Sequence, residues 1–214
     1  MRDGRWPFVP AALAATLLSA AAFAGEEALK LFGKVKTVEK DGSAFDLQDK
    51  RGTFRVILAE DANIVALKPV RLETCAPDST VHVLGQKQEP VPDPQSGHTL
   101  PAQIIQIVAI VAADGFKPPP IPEEFAARKL EWMTGRLKKT RSAYALDGID
   151  MQVGRDRTAV AISASSRDAI AKGKLVFVEG AREGGAKARQ VRATRAAILA
   201  PEIPLAQYRV VLGL

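Results

Sequence analysis

From Leu31 onward the chain alternates apolar and polar residues in short runs, each closed by a cluster of turn-forming residues. Leu31-Phe32-Gly33-Lys34-Val35-Lys36-Thr37-Val38 is the first run, and Lys40-Asp41-Gly42-Ser43 ends it. Ala44-Phe45-Asp46-Leu47 and Thr53-Phe54-Arg55-Val56-Ile57-Leu58 follow on either side of Asp49-Lys50-Arg51-Gly52. Period-two alternation sends successive side chains to opposite faces, the pattern of a strand with one buried face. A fourth run covers residues 80–85, and a fifth, rich in Ile and Val, covers 103–112. Between the third and fourth, residues 61–72 predict a short helix broken at Pro69, because proline lacks the N–H that a helix interior needs.

The second half repeats this order. Residues 132–139 carry Gly135 where the first run carries Gly33. Tyr144-Ala145-Leu146 follows, then the turn Asp147-Gly148, then strand-like runs at 149–153 and 158–163. Residues 167–172 predict a short helix ended by Gly173, in the position that helix C-termini favour. Residues 174–180 match 79–85, and residues 188–199 close the unit as 103–112 close the first. Five short strands with a small helix between the third and fourth is the order of an OB-fold, a five-stranded, partly open Greek-key barrel. The expected fold class is therefore all-β with minor α, built as two tandem small five-stranded OB-like barrels. Gly33 and Gly135 are expected to bend the first strands, and Gly85 and Gly180 to end the fourth. Pro118, Pro119, Pro120 and Pro122 make residues 113–129 a semi-rigid linker. The plan is a signal peptide at 1–24, a first barrel at 25–112, the linker at 113–129, and a second barrel with a C-terminal tail at 130–214.

Gly33-x-Val35, Phe45-x-Leu47, Val56-x-Leu58, Val81-x-Val83 and Gly85 resemble the small exported bacterial β domains grouped as domains of unknown function with OB-like folds. Gly135-x-Leu137, Ile149-x-Met151, Val160-x-Ile162 and Val176-x-Val178-x-Gly180 are similar to the same pattern. The shared positions are structural glycines and strand apolars. The resemblance implies fold and export, and it implies no catalytic residue.

The first residues point to export as well. Arg2 and Arg5 precede an unbroken small and apolar run from Ala11 to Ala22, and Ala22-Phe23-Ala24 is a small-x-small cleavage site. This is the layout of a secretory signal peptide. The run is short of the roughly 20 apolar residues a permanent span needs, although an uncleaved short anchor is the alternative. The expected location is periplasmic or extracellular, with no membrane span after cleavage. Cys75 is the only cysteine, so no internal disulfide can form and each barrel depends on its core.

Charge is uneven. Residues 25–129 hold 13 Lys and Arg against 15 Asp and Glu, a net −2, while residues 130–214 hold 15 against 8, a net +7. Within the basic half, Arg136, Lys138, Lys139 and Arg141 run from the first strand into the first loop, and Arg182, Lys187 and Arg189 flank the loop between the fourth and fifth strands. In one OB barrel these two loops border one groove, so these seven residues form the candidate ligand-binding set. Two partners stay open: an anionic polymer, nucleic acid or glycan, which fixed cations attract, or a protein of the cell envelope. A solubilising basic surface is the plainer alternative. The tail beyond Ile203 could add residues 208–212 as a strand to a partner's sheet, or pack on its own domain. His82, between Val81 and Val83, is expected to face solvent. Cys75, His82 and His98 lack metal-ligand spacing. No nucleophile elbow, phosphate loop or CxxC motif occurs. The expectation is a non-catalytic binding module without cofactor.

Overall fold

The computed structural model describes residues 28–93, 97–139, 143–153, 158–184 and 187–214. The expected signal peptide, Arg141 and the Gly185-Ala186 pair lie outside the described residues. The first half contributes β1 (Ala28–Val38), β2 (Ala44–Asp49), β3 (Gly52–Arg71), β4 (Thr80–Gln88), the short pair β5 (Val91–Pro92) and β6 (Thr99–Leu100), and β7 (Gln103–Ala112). A single helical turn, α1 (Glu123–Ala126), follows the linker prolines. The second half contributes β8 (Glu131–Lys139), β9 (Tyr144–Leu146), β10 (Ile149–Met151), β11 (Thr158–Ala164), β12 (Leu175–Glu183), β13 (Gln190–Leu199) and helix α2 (Leu205–Leu212). The protein is mostly β, as the alternation predicts.

Eleven of these strands form one sheet that closes on itself twice. The first ring runs β1–β2–β3–β13–β12 and back to β1. The second runs β8–β9–β10–β7–β4 and back to β8. Each ring therefore takes the first three strands of one half and the last two of the other. Within each ring the third and last strands are parallel, Arg55 beside Gln190 in one and Asp150 beside Gln103 in the other. One self-contained barrel per half, with a boundary at 113–129, is not what the pairings draw.

The physical reason lies in β3. Residues 61–71 extend the third strand where the sequence predicts a helix over 61–72. Residues 59–62 break the parallel ladder with β13, opposite the register shift between Ala193 and Arg195. Arg167 closes that break by donating to the Ala59 and Glu60 carbonyls at 2.8 and 3.2 Å. The strand then continues between β13 and β11. Beyond Leu67 only β11 remains beside it, so Pro69 falls where one side of the strand is free and a missing N–H costs least. Carried this far, the chain leaves the first ring. After one 3-10 turn at Leu72–Thr74, β4 pairs instead with β8 of the other half.

Gly85 and Gly180 correct a second expectation. Neither ends a strand: both lie within one, β4 and β12, at shifts of register against the neighbouring strand. A Cβ on Gly180 would collide with the Arg192 carbonyl. These are bulges, which increase local twist and help a short sheet close.

Three apolar cores follow from this topology. Leu31, Phe45, Leu47 and Val56 meet Val176, Val178 and Val191 inside the first ring. Val81, Val83, Ile104 and Ile110 meet Leu137, Leu146 and Met151 inside the second. A third core lies outside the rings, where Leu67, Leu84, Val111, Phe177 and Leu199 are covered by Phe116, Leu130 and the tail. The tail is α2, ended by Gly213 in the left-handed conformation, and its Tyr208, Val210, Val211 and Leu212 are buried. Residues 208–212 are thus a helix on the protein's own core rather than a strand offered to a partner.

This outer core also corrects His82. Alternation does turn it away from Val81 and Val83, but the outer face is covered, and His82 is only 4% exposed. Its Nδ1 pairs with Thr134 Oγ1 at 2.8 Å, its Nε2 lies 3.3 Å from the Ala113 carbonyl, and its ring meets Phe116 edge-on. Burial pushes its pKa below the ordinary histidine value, with the Ala113 carbonyl and Asp114 opposing. The unfolded chain then binds a proton more readily than the folded one, so stability falls as pH drops below about 6.5. Thermal melting is expected to fall between pH 7 and pH 5. A His82→Gln variant should flatten that part of the curve, and an unchanged slope would remove His82 as its source.

Candidate anion-binding site

The strand exchange divides the six predicted site residues that lie within the described residues. Arg136, Lys138 and Lys139 lie on β8 in the second ring, whereas Arg182 lies on β12 and Lys187 and Arg189 lie in the β12–β13 loop of the first. The two groups do not share a ring, so they do not border one groove. Two of the β8 cations are engaged with backbone: Arg136 donates to the Asp78 carbonyl at 2.9 Å, and Lys139 to those of Glu73 and Cys75 at 2.6 and 2.5 Å. They tie down the segment leading into β4. Cys75 itself is buried inside the second ring, where desolvation raises its thiol pKa. Lys138 is exposed.

The β12–β13 loop acquires neighbours from the other half. Because β3 and β13 run parallel from the same level, the loop meets the β2–β3 turn, Asp49-Lys50-Arg51-Gly52. The Arg55 N–H donates to the Arg189 carbonyl at 2.7 Å and fixes this meeting. The Arg189 guanidinium lies over Gly52 and fills the space a Cβ would take; Gly52 has φ +123°, a conformation that side chains rarely adopt. Lys50, Arg51, Lys187 and Arg189 thus stand at one end of the first ring, all exposed, with Asp49 as the carboxylate within the turn. Arg51 is held by Asp49 at 3.1 Å, by the Lys30 carbonyl at 2.8 Å, and over the Phe54 ring. Burial opposes ionisation of Asp49, but hydrogen bonds from Arg51 and from the Phe32 N–H hold its pKa below the usual value. Lys50, Lys187, Arg189 and Arg182 form no ion pair with a described residue.

Three arginines on the strands beside this rim are paired with acids. Arg55 pairs with Glu39 and Asp46, Arg192 with Glu183 at 2.5 Å, and Arg195 with Glu179 at 3.5 Å. The hydrogen bond from Arg192, then that from Gln190, lowers the pKa of Glu183. Each of these arginines has an acid on an adjacent strand, whereas Lys50, Lys187 and Arg189 stand in the loops without one. Lys50 and Arg51 escape a sequence reading because they belong to the net-negative half; only the exchange of strands places them beside Lys187 and Arg189. The turn Asp-Lys-Arg-Gly was the one local sign, as two exposed cations in a tight turn.

No helix among the described residues is long and apolar enough to cross a membrane. The fold and this rim define a mostly β protein with a cationic edge. No protein-family model matches the chain, and no curated protein or solved structure matches it.

Proposed function

We propose that the chain is an exported, non-catalytic binding module that holds an anionic polymer at the rim of its first ring. Lys50, Lys187 and Arg189 supply the contacts, Arg182 flanks them, and Arg51 adds a pinned charge. The observation that carries this reading is the pairing of β3 with β13, which sets three exposed cations without an acid partner beside one another. Cations that no carboxylate neutralises attract polyanions and release their counterions on binding. The pairs along the strands, by contrast, are already matched and contribute little to an external ligand. Arg136 and Lys139, bonded to backbone carbonyls, hold the fold of the second ring.

The test compares two matched charge reversals on a heparin or single-stranded DNA column. Arg189→Glu should elute at clearly lower salt than the wild type, and Lys187→Glu likewise. Lys138→Glu changes the same charge on the other ring and should elute close to the wild type. If Lys138→Glu shifts elution as far as Arg189→Glu, retention follows net charge and the rim is not a site.

A further inference from the structure

We infer that the ligand at this rim is recognised through phosphate or sulfate groups alone, as on a polyphosphate or a sulfated glycan, with no contribution from stacked bases. The inference rests on the polyanion reading above and narrows it. Its independent observation is where the aromatic side chains are. From Phe32 onward the sequence has nine: Phe32, Phe45, Phe54, Phe116, Phe125, Trp132, Tyr144, Phe177 and Tyr208. Every one packs into a core. Phe45 and Phe54 fill the first ring, Tyr144 the second, and the other six belong to the outer core or pack against it. Stacking on an aromatic ring contributes about 1–3 kcal/mol per base where single strands are held. Here every ring packs into or against a core, and Phe54, two residues from Gly52 of the rim turn, carries Arg51 over its face.

What remains at the rim is charge and geometry. Arg189 presents a planar fork that matches two oxygens of a phosphate or sulfate. Gly52 beneath it leaves the guanidinium close to the turn backbone. Lys50 and Lys187 act as exposed point charges on the two loops. Four contacts of this kind, with Arg182, give a salt dependence with a slope of about −3 on a log–log plot, at ~0.7 per phosphate of a flexible chain. Such a site follows the spacing of anionic groups and is indifferent to what the backbone carries between them.

Fluorescence anisotropy with the full mature chain provides the test. One labelled probe is a mixed-sequence single-stranded DNA, and the other is an abasic deoxyribose-phosphate oligomer of the same length. The two are expected to bind within about twofold of each other, with equal salt slopes. Polyphosphate and heparin should both displace them, and the one that does so at the lower concentration of charge identifies phosphate or sulfate. The double variant Lys187→Glu/Arg189→Glu, with melting checked against the wild type, should lose at least tenfold in affinity and about half of the salt slope. Should it prove unstable, Lys187→Ala/Arg189→Ala serves, with a smaller loss. Base-bearing DNA binding more than tenfold tighter than the abasic strand overturns this inference and leaves the polyanion reading standing. Binding that ignores both variants, or no binding of any probe, overturns the two together.

Discussion

Cut once in its linker, the protein is expected to remain a single folded particle. A protease site inserted after Lys117, an exposed position ahead of the prolines, allows the cut in the folded full-length chain. Six of the twelve ladders in the main sheet join one half to the other: β1 with β12, β3 with β13 and with β11, β7 with β10 and with β11, and β4 with β8. Neither half closes a ring by itself. Separated, residues 28–112 would expose Val56 and Phe45 on one side and Val83 and Ile104 on the other. The cut does alter the thermodynamics. A short linker holds its ends at an effective concentration of order millimolar, so at 1 µM the severed protein gives up roughly 4 kcal/mol. Its Tm should therefore drop and become concentration-dependent, while both pieces co-elute in gel filtration and part only in denaturant. Two peaks appearing without denaturant, each with its own melting transition, would mean that the halves are independent domains.

That expectation also marks where sequence reasoning stops. Alternation located nearly every strand, because one buried face writes itself into the residues at period two. It does not say which strand lies next to which. Residues 64–67, Ile-Val-Ala-Leu, suit a helix or a strand equally, and the decision comes from β11 and β13, more than ninety residues away. Since the halves are built on one pattern, the last two strands of either complement the first three of both, and nothing local tells a strand its own ring from the other. The candidate site inherits this. Lys187 and Arg189 are legible as loop cations, but the order of the sequence points to Arg136, Lys138, Lys139 and Arg141 of the same half as their companions, whereas the exchange delivers Lys50 and Arg51. His82 shows the same limit on a smaller scale: its face was read correctly, but the chain that covers that face, Ala113 and Phe116 of the linker, was not.

Removing the tail should do more damage than any single substitution proposed here. A chain ending at Pro204 lacks α2 and with it Tyr208, Val210, Val211 and Leu212, all nearly fully buried. Each such side chain contributes about 1.5–3 kcal/mol by leaving water, so four amount to about 6–12 kcal/mol, an upper range because the unfolded chain already hides some of that surface. A typical domain has only about 5–15 kcal/mol in total, so the truncated chain is expected to be unfolded or to aggregate through the bared Leu84, Val111 and Phe177. Tyr208 separates packing from polarity within this element. Its hydroxyl donates to the Ala200 carbonyl, and burial pushes its pKa up to about 12. Tyr208→Phe keeps the ring and loses one hydrogen bond, which should cost about 1 kcal/mol and leave the fold intact. Tyr208→Ala empties the site and should cost several times that. Chemical denaturation of the two variants reads the difference directly. If the truncated chain instead melts like the full-length protein, α2 rests on a core that holds without it, and the outer face of the sheet is stable when open to solvent.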